Sequence, residues 1–246
     1  MRIEIAKTPQ AAAESIAARI IKVLTEKPDA VLGLATGATM EPVYQALIAA
    51  HRRGEVSFAQ AMSFNLDEYC GLSPTHPGSY RATMNRLLFD HVDIDHSRTF
   101  VPDGAMADPV LAAADYEERI AGAGGIDLQL LGIGRNGHIG FNEPGSAFDS
   151  HTRQVSLHPE TLKANQGFFA DGSVPHHAIT MGIATILAAR SILVLATGGA
   201  KSTAVSQAIE GPVSAECPAS ALQQHGDVCW VMDTAAAGGL SRAKAS

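Results

Sequence analysis

The run Ile126-Asp127-Leu128-Gln129-Leu130-Leu131-Gly132-Ile133 constrains the fold most, because it is short, almost wholly apolar and closed by glycine. A strand of that kind is buried on both faces, as happens in parallel sheets covered by helices. Ligands of open α/β sheets collect beyond the carboxyl ends of the strands. The loop that follows, running to Pro144, therefore stands at the mouth of a candidate site, and it offers Arg135, Asn136, His138, Asn142 and Glu143. Its glycines, Gly134, Gly137 and Gly140, let the backbone turn tightly and approach a ligand. An imidazole titrates near neutrality and a nearby carboxylate can orient it, so His138 and Glu143 suit proton transfer. The alternative is a polar turn with a surface histidine and a structural glutamate.

Two further strand-to-helix joints carry the same signature. Ala30 to Ala35 is a buried strand that runs into Thr36-Gly37-Ala38-Thr39-Met40-Glu41-Pro42 and then a helix from Val43 to about His51. The first amides of a helix lack partners and its dipole adds partial positive charge, so such a joint can hold an anion. Thr39 as a simple N-cap and Gly37 as a turn glycine is the competing account. No Gly-Lys-Ser/Thr follows, so the joint is not a Walker motif. Ser191 to Thr197 is a second such strand, followed by Gly198-Gly199-Ala200-Lys201-Ser202 and a helix to Glu210. A lysine there opposes the dipole, and that conflict with local preference points to a role such as pairing with phosphate.

Elsewhere the chain alternates strand and helix. Arg2 to Lys7 reads as a strand, Pro9 opens a helix, and Ala61 to Asp67 forms a third strand ending in Asp67-Glu68-Tyr69. Those paired carboxylates, read alone, fit a solvated turn. Gly71 to Gly78 is a loop long enough to cover a site, and Ser79 caps the helix that carries Tyr80. Helices follow at Pro109 to Ile120 and Pro159 to Phe169, strands at His151 to Leu157, Ala178 to Met181 and Val228 to Met232, and Thr234 to Ser246 reads as a frayed tail. This order predicts an α/β fold: a doubly wound, mostly parallel sheet with helices on both faces, Rossmann-like in plan. At 246 residues without repeats or linkers, a single domain is expected.

Composition excludes several classes. A net charge of -7 argues against nucleic acid, which requires a basic face, yet permits a local anion pocket. Three cysteines without C-x-x-C spacing suggest neither a disulfide framework nor a zinc site, and no metal is expected. Neither a signal peptide nor a membrane helix is expected, and a cytoplasmic location follows.

Four stretches taken together resemble the glucosamine-6-phosphate deaminase family: Leu32 to Thr39 (LGLATGAT), Ser63 to Leu72 (SFNLDEYCGL), Gly132 to Pro144 (GIGRNGHIGFNEP) and Leu195 to Gly211 (LATGGAKSTAVSQAIEG). The resemblance implies conversion of glucosamine 6-phosphate and water to fructose 6-phosphate and ammonia, without a cofactor. It implies Asp67 as the base that moves a proton from C2 to C1. It implies His138 as the ring-opening group, with Asn136 and Glu143 as partners. Gly37, Ala38, Thr39, Gly137 and Lys201 are implied around the substrate and its phosphate. The partner is then a small amino-sugar phosphate, and homo-oligomer formation stays open.

The chain departs from the family's pattern at three places. Asn136 replaces an aspartate found in some members, Met40 replaces a proline, and Gly167 stands where an arginine phosphate ligand precedes paired phenylalanines. Loss of that arginine predicts weaker phosphate affinity unless Lys163 or another basic group compensates, or the substrate differs. The chain also ends soon after its last strand, and of a polar cluster for an allosteric sugar phosphate only Ser146 and Arg153 stand out, so no such activation is expected. A galactosamine 6-phosphate deaminase, a 6-phosphogluconolactonase-like hydrolase and a non-catalytic sugar-phosphate sensor remain alternatives.

Overall fold

The computed structural model describes residues 1–158, 162, 169 and 174–241. Its strands are β1 (Arg2–Ala6), β2 (Val31–Leu34), β3 (Met62–Asn65), β4 (Asp67–Tyr69), β5 (Thr99–Phe100), β6 (Leu128–Gly132), β7 (Arg153–Ser156), β8 (His177–Thr180), β9 (Ser191–Ala196) and β10 (Val228–Asp233). The α-helices are α1 (Pro9–Glu26), α2 (Glu41–Arg52), α3 (Tyr80–Leu87), α4 (Pro109–Gly122), α5 (Ile183–Leu187), α6 (Ser202–Glu210) and α7 (Thr234–Ala237).

The main sheet has strand order β1-β10-β9-β6-β2-β3-β5, every pairing parallel, with helices flanking it. Its central strands are apolar because both faces are covered: every residue of β2 and β10 is buried. The chain moves outward from β2 to β3 and β5, then crosses back to β6 and proceeds through β9 to β10. The order thus reverses between β2 and β6, and a crevice opens beyond their carboxyl ends at such a switch point.

Sequence signals set the helix starts. Thr8 accepts from the Ala11 amide to cap α1, Ser79 accepts from Ala82 to cap α3, and Asp108 accepts from Val110 and Leu111 to cap α4. α1 buries Ile16, Ile20 and Leu24 on one stripe, which packs on α2, β9 and β10.

Two expectations need correction. The third strand does not run unbroken from Ala61 to Asp67. Leu66 is a pivot: its amide donates to Leu34 while its carbonyl accepts from Met181. Before it, β3 belongs to the main sheet; after it, β4 joins a second, antiparallel sheet of order β4-β8-β7. The segment from Thr234 is not wholly a frayed tail either. Asp233 caps α7 at the Ala236 amide, and Ala236, Ala237 and Leu240 are buried.

Candidate active site

A cavity of about 870 Å³ opens at the switch point. Its walls are Thr36, Gly37 and Thr39 after β2, Leu66 and Asp67 at the pivot, Tyr80 from α3, the loop after β6, and Lys201 ahead of α6. Asp67, Asn136, His138 and Lys201 thus face one space.

The acidic end is buried. Asp67 is 6% exposed and Glu68 3%, so the pair is not a solvated turn. Glu68 turns away from the cavity and accepts from the amides of Tyr69, Tyr80 and Arg81, which fixes the start of α3 against β4. Burial pushes the Glu68 carboxyl upward, and those three amides and the Arg81 charge pull it part of the way back. Burial, then the Glu68 charge, push Asp67 up to about 8, and no cation among the described residues offsets this. Gly140 makes room for it. With φ of +56° it adopts a conformation costly for other residues, and a Cβ there would lie 3.0 Å from Thr180 Oγ1 and 3.5 Å from Asp67 Oδ2.

The imidazole is held by its own loop. His138 Nδ1 stands 3.3 Å from Glu143 Oε2, an ion-pair distance when the ring is protonated. The Asn136 amide donates to the same Glu143 oxygen at 2.7 Å, and the Asn136 carbonyl oxygen accepts from the His138 backbone amide at 3.3 Å. Gly134 lies flat against the ring, where any Cβ would overlap it. Behind the loop, Asn142 donates to Ile139 O and Met181 O and accepts from Arg153 Nη1, so the smaller sheet braces it.

The opposite end is cationic and less enclosed. α2 and α6 both begin without a side-chain cap, at Met40 and Lys201 respectively, so Thr39 is not the N-cap of α2. At α2, where Pro42 has no N–H, the Glu41 amide remains available to an anion, whereas at α6 the Ser202 amide already donates to Gly199 O. Lys201 is half-buried, and burial together with the positive charge of Arg135 depresses its ammonium.

Of the residues expected around the site, Asp67, Asn136, His138, Gly37, Thr39 and Lys201 line the cavity. Glu143 sits behind His138, and Ala38 lies on the exposed turn between Gly37 and Thr39. Gly137 is buried beneath the loop against Cys217, its carbonyl accepting from Ala219. Lys163, Gly167 and the expected Pro159 to Phe169 helix lie outside the described residues. Thr36 and Tyr80 were missed. The Tyr80 hydroxyl bonds Tyr69 at 3.2 Å and also Thr36, spanning the acidic and anion-binding ends. The only sequence signal for it was its place just past the Ser79 cap. Among the described residues no cluster of three or more His, Cys, Asp or Glu could hold a metal ion, and no helix is long and apolar enough to cross a membrane.

Comparison with known proteins agrees with this geometry. A glucosamine-6-phosphate deaminase of Hahella chejuensis is 53% identical over 241 residues, covering 98% of this chain and 92% of the relative. One of Rhodopirellula baltica is 50% identical over 243 residues, covering 98% and 97%. The solved structure of a monomeric glucosamine-6-phosphate deaminase superposes with a TM-score of 0.94 at 44% identity, covering 97% of this chain and all of that one. A 6-phosphogluconolactonase from Trypanosoma brucei shares the fold at 21% identity and a TM-score of 0.76. The family described as glucosamine-6-phosphate isomerases/6-phosphogluconolactonase matches residues 4–230, and the chain belongs to that family.

Proposed function

We propose that the chain converts glucosamine 6-phosphate and water to fructose 6-phosphate and ammonia, a cytoplasmic step in amino-sugar breakdown. The observation that carries this is the shared cavity: a buried carboxylate, an imidazole with its own carboxylate partner, and a cationic, amide-rich end all open on it. Relatives about half identical across the chain and named for this activity support the choice.

In this reading the phosphate rests at Lys201 and the turn Gly37 to Thr39, and the sugar reaches from there to Asp67. His138 moves a proton from the anomeric hydroxyl to the ring oxygen, and the ring opens to the aldehyde. Glu143 faces the Nδ1 side of the imidazole and stabilises its charged form, while neutral Asn136 orients Glu143 without adding charge. Asp67 then takes the C2 proton; the electron pair forms a C1–C2 double bond and charge moves to the C1 oxygen. A proton passes from the C2 ammonium to the C1 oxygen, giving a neutral enol-amine. Returning the Asp67 proton to C1 while the nitrogen lone pair forms the C2–N double bond leaves a C2 iminium, which water hydrolyses to the ketone with loss of ammonia. Each acid–base group of this kind typically contributes about 10² to 10⁴-fold.

The raised Asp67 carboxyl fits this substrate class. An ammonium at C2 brings the cation that the protein lacks there, favouring the ionised base when the amino sugar is bound.

The test is a coupled ammonia-release assay on glucosamine 6-phosphate and galactosamine 6-phosphate, with Asp67→Asn as control. Exchange of the C2 proton with deuterated solvent separates this chemistry from lactone hydrolysis, which needs no carbon base. Turnover unchanged in Asp67→Asn would remove the mechanism.

A further inference from the structure

Arg135 stands at the exposed tip of the loop after β6 and lines the same cavity as Lys201. The two positive groups are near enough for Arg135 to depress the Lys201 ammonium, and neither has a carboxylate partner among the described residues. The one acidic residue in the first turn of α2, Glu41, does not line the cavity. Like charges facing one space repel, and repulsion of this kind persists in a folded protein when a ligand of opposite charge relieves it. The start of α2, which no side chain caps, points to the same ligand sign. A monoanion would be served by Lys201 alone; two cations match a dianion. A guanidinium also adds what an ammonium cannot, two parallel donors for two phosphate oxygens.

We propose that Arg135 is a substrate-binding residue that pairs with Lys201 across the 6-phosphate dianion and sets affinity for that end of the sugar. The anion's identity as a sugar phosphate rests on the function proposed above; the two-cation site itself does not. Arg135 extends from an exposed turn, so substitution there leaves the core untouched.

The experiment compares the parent with Arg135→Gln and Arg135→Lys by steady-state kinetics on glucosamine 6-phosphate and by calorimetric titration with inorganic phosphate. Arg135→Gln is expected to raise KM about 10 to 100-fold, with kcat changed much less, and to weaken phosphate binding by a similar factor. Arg135→Lys is expected to recover part of both, since charge returns without the paired donors. KM and phosphate affinity within about twofold of the parent in Arg135→Gln would overturn the assignment even with ammonia release intact. If no ammonia is released but phosphate affinity falls in Arg135→Gln, the anion site stands and the proposed reaction fails. Matched thermal unfolding of the variants verifies folding.

Discussion

At one end of the cavity Asp67 sits on a buried strand hydrogen-bonded to β8, and its neighbour Glu68, turned away from the cavity, anchors α3 through three amides. At the other end half-buried Lys201 closes a 3-10 turn directly before α6, whose start no side chain caps, and exposed Arg135 stands on the loop after β6. The acidic end is dry and fixed, so its charge is costly to create and its geometry hard to disturb. The basic end is wetter, so each contact there is weaker and more easily replaced. The contrast teaches a division of labour: the buried carboxylate is held by a strand, and the groups that only attract stand at exposed or half-exposed turns, with the imidazole between them on a loop braced by Glu143 and Asn136.

If that division holds, substitutions at the acidic end fall on kcat and those at the basic end on KM. The largest expected effect is Asp67→Asn, which should lower kcat by about 10³-fold or more while substrate still binds. The same variant should gain stability. The folded carboxyl titrates at about 8 against an ordinary value of 3.8, so the parent's native state holds a proton that its unfolded state has lost. Its stability therefore falls as pH rises between those values, and asparagine removes that loss. Denaturant unfolding should show a gap in favour of Asp67→Asn that is absent near pH 4 and reaches a few kcal/mol above pH 8; a gap independent of pH would contradict the burial argument. His138→Gln comes next, with kcat down about 10²-fold and KM little changed, whereas an equal loss in both would make the imidazole a binding group. Glu68→Gln should cost about tenfold in kcat/KM and shift the acid limb of the pH–rate profile downward, as the carboxylate beside Asp67 disappears. An unmoved profile would mean that Glu68 only anchors α3. The smallest effect is expected from Gly167→Arg, which restores the arginine of the family's pattern and should lower KM by up to about tenfold; identical Michaelis constants would refute it.

Much of this was legible in the sequence, and its failures share a cause. The stretch Ile126 to Pro144 reads correctly as a buried strand plus a glycine-rich site loop because both signals are local. The fold class follows from strand–helix alternation, and the main sheet is parallel throughout. The break at Leu66 is invisible because an apolar run looks the same whichever partner its amides bond. Glu68 reads as a turn residue because two of its donors, Tyr80 and Arg81, lie beyond the intervening loop. Thr39 reads as a cap because its residue type permits it, whereas the helix begins one turn position later. The alanine- and glycine-rich start of the last segment reads as a tail because small side chains give little hydrophobic signal, although Ala236 and Ala237 are buried.

The pivot at Leu66 means that neighbouring residues belong to different frameworks: Asn65 to the main sheet and Asp67 to the smaller one. Lys201, just past β9, belongs with the first. Any molecule long enough to touch both Asp67 and Lys201 therefore bridges the two sheets, and its two ends are placed by separate frameworks.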